Sequence, residues 1–294
     1  MVSKNDVSFG VKVSFASLNI FLSPLIIYVV CTKKALQTSA NIFLCCLCCL
    51  CLIFECMDIV SYLSKRFYKE VIVFEEILLT SSPLLLSATA YARYRLVSKP
   101  YKKQISILWS LSTACLIFLY SISVAVLSSV ETFYYRAIYD IASVVIRCLI
   151  PFVIITVCHI QIVRLLTQQN ERIKIYKVLS SVRYAQGLRR KQRLKRLLLA
   201  ILVIFLTTSC PLETVKLLVL TQCVEVDDNI RKGIELAAIN GTLLTPLIYA
   251  YWNDSLKREV FKIMTSFVCK QYRKFSVSSY ASVSVRVRRN NSEA

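Results

Sequence analysis

Seven long apolar segments constrain this 294-residue chain more than any other feature. A helix rises about 1.5 Å per residue, so roughly 20 residues cross the hydrocarbon core of a bilayer. Only helices or closed barrels satisfy a backbone in lipid, and the alternating short strands of a barrel are absent. The sequence therefore predicts an all-α membrane protein with seven spans: Ser8–Thr32, Ser39–Leu63, Val71–Val97, Ile105–Ser129, Ile138–Thr167, Arg193–Thr221 and Arg231–Trp252.

The basic residues predict the orientation of these spans. The formal net charge is +20, and Lys and Arg are concentrated after spans 1, 3, 5 and 7. Cytoplasmic loops carry an excess of Lys and Arg, so we expect the N-terminus outside the cell and the C-terminus in the cytoplasm. The charge lies in short loops and the tail, so it does not indicate nucleic-acid binding. The basic loop between spans 5 and 6 either anchors to anionic lipid or also docks a partner.

The 13 cysteines look at first like a metal or disulfide framework. Six of them lie in span 2 and point all round one helix, with no histidine nearby: Cys45, Cys46, Cys48, Cys49, Cys51 and Cys56. Zinc ligands come at loop-type spacings, whereas free cysteine in an apolar helix packs as a small apolar residue. We therefore predict no metal and no cofactor, and the absence of a nucleophile–base set predicts that the chain is not an enzyme.

Short motifs recur in order along the spans. Span 2 opens with LQTSANIFL (36–44), span 3 ends in AYARYRLVSKPY (90–101), span 6 contains FLTTSCP (205–211), and span 7 ends in TPLIYAYWNDSLKREVF (245–261). Together they resemble the rhodopsin-like (class A) G-protein-coupled receptors, and PLIY followed by Asn is similar to the odorant-receptor group. The resemblance implies a multi-pass receptor of the cell membrane that senses an extracellular small-molecule ligand and activates a heterotrimeric G protein by outward motion of helix 6.

The resemblance also assigns domains and activation residues. It implies a membrane domain over residues 1–267, with a short amphipathic eighth helix, and a flexible cytoplasmic tail over 268–294. Cys269 follows the eighth helix and is a candidate for lipidation. The residues implied in G-protein coupling and activation are Arg93, Tyr94, Phe205, Pro211, Pro246 and Tyr249.

Several positions depart from the family pattern, and one has a direct consequence. Ala92 stands where the family has the acid that holds the arginine at rest. Arg93 then lacks its local partner, so we expect raised basal activity. Cys51 replaces an aspartate of span 2, so sodium binding there is not expected. The other departures are Ser23, His159, Ser209 and Thr245.

Charged residues in the outer halves of the spans predict the ligand site, because charges inside a membrane are expensive and usually functional. The candidate ligand-binding residues are Glu75, Glu76, Arg147, Glu213 and Glu235. A small amine could pair with Glu75, assisted by Glu235 or Glu213. Alternatively the charges pair internally, Arg147 with Glu75 or Glu76 and Lys216 with a neighbouring acid, which lowers the cost of burial without a ligand.

Two other functions stay open at this stage. A small helical transporter or channel is one, although such folds usually contain internal repeats and none is visible here. A receptor-like protein that has lost signalling is the other, given the number of motif departures.

Overall fold

Helices make up the long elements of the described structure. The computed structural model describes residues 4–64, 67–98, 106–129, 141–175, 181–221 and 226–266. We number the helices α1 to α8: α1 Lys4–Thr32, α2 Ser39–Leu63, α3 Tyr68–Ser98, α4 Ile107–Ser129, α5 141–175, α6 Ser181–Leu220, α7 Asp228–Trp252 and α8 254–266. Six of them are long and apolar enough to cross a membrane, and α1 contains the shorter apolar stretch Ala16–Thr32. The predicted all-α, seven-helix bundle is confirmed.

The helices on the basic side of the bundle are longer than the predicted apolar spans. α6 begins at Ser181 rather than at Arg193, and α5 continues to Ile175 rather than ending at Thr167. The reason is that Arg, Lys, Gln, Leu and Ala have good helix propensity in water, so helix continues where apolar character stops. Residues 138–140 of the predicted fifth span lie outside the described residues, as do Cys269 and the predicted tail 268–294.

Polar residues mark two of the helix ends. The Thr38 side chain accepts from the backbone N–H of Asn41 and caps the start of α2. Asp227 accepts from the backbone N–H of Asn229 at 2.8 Å and caps α7. Such caps satisfy N–H groups that have no partner inside the helix. At Asn253 the backbone becomes extended, which ends α7 and starts α8.

α3 lies at the centre of the bundle. It contacts α2, α4, α5, α6 and α7, while α1 packs on α2 and α7, and α6 packs on α5 and α7. Leu78, Leu85 and Ala90 of α3 belong to a continuous buried core. We call the end of the bundle where α7 passes into α8 the α8 end, and the opposite end, where α1 begins, the N-terminal end.

The outer surface of the bundle is apolar. Leu108 and Leu116 of α4 are 75% and 66% exposed. A surface of this kind suits a hydrocarbon solvent and would favour aggregation in water. The cysteines of α2 are divided between the two environments: Cys48 and Cys51 are buried in the core, whereas Cys49 and Cys56 are exposed. Their all-round distribution fits the interpretation of these thiols as small apolar residues.

Candidate functional site

Arg93 near the α8 end of α3 is held by uncharged partners. Its Nε donates to the hydroxyl of Tyr249 on α7 at 2.9 Å, and its Nη2 contacts the same hydroxyl. The side-chain oxygen of Asn41 on α2 lies 3.5 Å from Nη2. Among the described residues no acid pairs with Arg93. An arginine at this depth therefore meets its hydrogen-bonding requirement through a hydroxyl and an amide.

Asn41 joins three helices at this point. Its side-chain oxygen also accepts from the Tyr249 hydroxyl at 3.3 Å and from the Asn253 amide at 3.2 Å, and its own amide donates to the Leu36 carbonyl at 2.8 Å. We call Arg93, Asn41, Tyr249 and Asn253 the arginine cluster. Tyr249 is 1% exposed, so the cluster is bounded by the core on its inner side. The cluster ties α2, α3 and the α7–α8 junction together.

An apolar cluster joins α3 to α5 and α6 beside Arg93. Ile162 and Leu166 of α5 pack with Leu198 of α6, and Tyr94 and Val97 of α3 pack against them. The predicted activation residue Tyr94 is therefore a packing residue here, half-buried at the interface of three helices. The described contacts between α3 and α6 at the α8 end are apolar and involve no ion pair.

The remaining predicted activation residues lie along α6 and α7. Phe205 is 1% exposed in the core, and Pro211 lies inside α6 as Pro246 does inside α7. The two helices approach closely at Gly241, where an added Cβ would lie 2.7 Å from Cβ of Thr208. A proline inside a helix removes one backbone hydrogen bond and favours a kink, so both helices have a weak point in their C-terminal halves.

A π-helical turn directs Arg147 of α5 into the bundle. The turn covers Val145–Leu149, and the N–H of Ile150 bonds to the carbonyl of Val145. Pro151 follows, and it has no N–H to offer to the carbonyl of Arg147 four residues earlier. A wider turn accommodates this loss, and π-turns are frequent at functional sites. Arg147 is only 2% exposed as a result.

Arg147 belongs to a network of four charges between α3, α5 and α6. It pairs with Glu76 of α3. Nζ of Lys216 on α6 lies 3.7 Å from Oε2 of Glu76 and 4.0 Å from Oε1 of Glu213. We call Arg147, Glu76, Lys216 and Glu213 the ion network. It contains two acids and two bases, so its formal charges balance inside the membrane.

The structure thus brings together three of the five predicted ligand residues, Glu76, Arg147 and Glu213. Glu75 is half-buried beside Glu76 on α3, and Glu235 is half-buried on α7 outside the network. The pairs observed for Arg147 and Lys216 are those of the internal-pairing interpretation. About 17 residues separate Glu76 from Arg93, which places the ion network roughly 25 Å from the arginine cluster along α3.

Sequence reasoning missed two roles. Asn41 is the acceptor at the centre of the arginine cluster. Its amide at the start of the otherwise apolar helix α2 could have indicated this role. Lys216 was considered only as a partner in the alternative interpretation, although it bridges both acids of the ion network.

A bundle of seven apolar helices with a polar cluster at each end of its central helix is the architecture of a helical membrane receptor. The family model described as 7 transmembrane receptor (rhodopsin family) matches residues 24–249, and the chain belongs to this family. It is a multi-pass protein of the cell membrane. The predicted family is confirmed, and the odorant branch stays a prediction.

The fold is similar to that of a solved receptor. The crystal structure of squid rhodopsin superimposes with a TM-score of 0.73 and 18% sequence identity, covering 90% of this chain and 87% of that chain. A search by sequence among curated proteins finds no match. At this identity the likeness to squid rhodopsin concerns the fold alone.

Proposed function

We propose that this receptor senses an extracellular ligand and activates a heterotrimeric G protein by outward movement of α6. The family supplies the general function. The positive loops and tail support a cytoplasmic location for the α8 end and an extracellular location for the N-terminal end. In this arrangement the ion network lies on the ligand side and the arginine cluster on the G-protein side.

The contacts of Arg93 carry the proposal. Arg93 is held by Tyr249 and Asn41. At this end Tyr94 of α3 packs against the apolar cluster to which Leu198 of α6 belongs. Among the side chains that the structure describes, no ion pair has to break at the α8 end when α6 separates from α3. This supports the expectation of raised basal activity, since dispersion contacts are individually weak.

We propose further that the ligand binds at the N-terminal end, between α3, α5, α6 and α7. Two cations of the chain already compensate Glu76 and Glu213. In this proposal the cationic group of a small amine pairs with Glu75, which lies beside Glu76 on α3, and Glu235 of α7 is the assisting acid. A ligand held in this way contacts α3 and α7, both of which pack against α6.

Ligand-free nucleotide exchange on a G protein tests the activation step. Wild-type receptor and Arg93→Gln are compared at equal surface delivery, with Arg95→Gln as a control that removes the same charge two residues away. We expect Arg93→Gln to abolish the basal signal and Arg95→Gln to keep most of it. A wild-type receptor that activates no G protein, with or without any ligand of the panel below, would identify a receptor-like protein that has lost signalling.

Ala92→Asp is a second test of the missing acid. Ala92 is 6% exposed, so an aspartate here enters a packed site. We expect lower basal activity if the new carboxylate reaches Arg93, and surface delivery has to be measured because a buried carboxylate is costly.

A panel of amines and neutral odorants tests the ligand site. Glu75→Gln should remove responses to amines and spare those to neutral compounds, whereas Glu70→Gln, an exposed acid on the first turn of α3, should change neither. An intact amine response in Glu75→Gln removes Glu75 from the site.

A further inference from the structure

Glu55 is a buried acid that belongs neither to the ion network nor to the arginine cluster. It lies on α2 and is 2% exposed. Neither of its carboxylate oxygens has a hydrogen-bond partner. A charged carboxylate in this position would forgo both water and donors, at a cost of several kcal/mol or more. The negative charge of Glu55 must therefore be neutralised by a small cation.

The described surroundings of Glu55 are polar but include no cation. The Asn19 side chain of α1 lies near the Glu55 carboxylate but outside hydrogen-bonding geometry, and the charged group that acts on Glu55 is Asp58, one turn further along α2. Cys51, one turn earlier, is its other titratable neighbour. Among the described residues of α1, α3, α4 and α7, which pack against α2, no charged group acts on Glu55. The nearby negative charge of Asp58 makes a second negative charge still less favourable.

The geometry distinguishes between the small cations that could neutralise it. A metal ion needs several oxygen ligands, and in the described structure no three acidic, histidine or cysteine side chains gather around a common point. An ammonium group needs room that a site 2% exposed and packed between helices does not offer. A proton needs neither ligands nor space. We propose that Glu55 is a proton-binding site and that its proton regulates the contact between α1 and α7.

Asn19 is the link from Glu55 to α7. Asn19 is fully buried, its amide donates to the carbonyl of Leu243 at 3.1 Å, and its oxygen lies 3.4 Å from the Ser23 hydroxyl. When Glu55 releases its proton to bulk water as hydronium, the carboxylate becomes the strongest acceptor near the Asn19 amide. The Asn19 amide has two N–H groups, and the one that does not bond to Leu243 then donates to Glu55. This draws the side chain towards α2 and lengthens its bond to the Leu243 carbonyl. Leu243 precedes Pro246 by three residues, so the proton acts on α7 at its kink.

Infrared spectroscopy on the full-length receptor in lipid nanodiscs tests the protonation directly. At neutral pH we expect a carbonyl stretching band of a protonated carboxylic acid that is absent in Glu55→Gln and retained in Asp58→Asn. Glu55→Asp should shift the band rather than remove it, which keeps the test valid if the glutamine variant folds poorly. A band that is unchanged in Glu55→Gln overturns the proposal. So does a wild-type band that sodium ions abolish, because the site would then hold a metal ion.

Basal nucleotide exchange across a pH series tests the coupling to α7. The wild-type signal should change as the carboxyl band disappears at high pH, and the signal of Glu55→Gln should be constant over the same range. A pH response that persists unchanged in Glu55→Gln refutes the coupling. Failure of the G-protein assay itself concerns the proposed function, whereas the infrared result does not depend on signalling.

Discussion

Replacing Glu76 by Leu removes the carboxylate that compensates Arg147. The side chain of Arg147 is 3% exposed, so the variant leaves a guanidinium buried without its partner. Breaking a buried pair in this way costs about 3–5 kcal/mol of folding free energy. Lys216 also loses a partner, but it is 36% exposed and keeps Glu213, so its contribution is smaller, on the order of 1 kcal/mol. We expect a total loss of about 4–6 kcal/mol, summing the two terms.

Equilibrium unfolding of the purified receptor in mixed micelles measures this loss. The double variant Glu76→Leu with Arg147→Met removes both buried charges and should recover most of the stability, because an apolar pair of similar volume is often as stable as a buried ion pair. Glu259→Gln, which removes the surface contacts of this carboxylate with Lys262 and Lys33, serves as the control and should leave the stability close to that of wild type. A Glu76→Leu variant as stable as this control would refute the assignment of Glu76 as the partner of Arg147.

Two further perturbations separate packing from electrostatics. Gly241→Ala should cost about 1–3 kcal/mol of stability because its Cβ would collide with Thr208. Gly233→Ala, with no atom within 4 Å of the new Cβ, is the control and should be neutral or stabilising. Equal effects of the two variants in unfolding experiments would contradict the close approach of α6 and α7. At α8, the hydrogen bond from Lys262 lowers the pKa of Glu259 below its usual 4.5. The contact of this carboxylate with Lys33 at the end of α1 is therefore kept at neutral pH. It is lost only as the pH falls through that lowered pKa. Distances between spin labels on α1 and α8 that change already between pH 7 and pH 5 would disagree with this assignment.

Much of the candidate site could be identified from the sequence. Arg93 and Tyr249 lie in short motifs, and the charges of the ion network were visible as exceptions within apolar spans. The sequence left open whether these charges pair with one another or with a ligand, and whether Arg147 pairs with Glu75 or with Glu76, because hydropathy gives the depth of a residue in the membrane and not the direction in which it faces. Glu75 and Glu76 are neighbours at nearly the same depth, and only the rotation of α3 turns Glu76 towards Arg147. The observed partners are 71 residues apart in the chain.

The sequence alone determines the number of spans, their helical state and the orientation expected from charge. In lipid the backbone finds no water, so each span must satisfy its own hydrogen bonds by forming a helix. Tertiary structure decided which polar side chains meet. Asn41 and Tyr249 are separated by 208 residues and come within 3.3 Å only when α2 and α7 pack together. Glu55 and Asn19 face each other for the same reason. In a medium that offers no water, the partner of a buried polar group is whatever the neighbouring helix presents, and helix packing alone determines that choice.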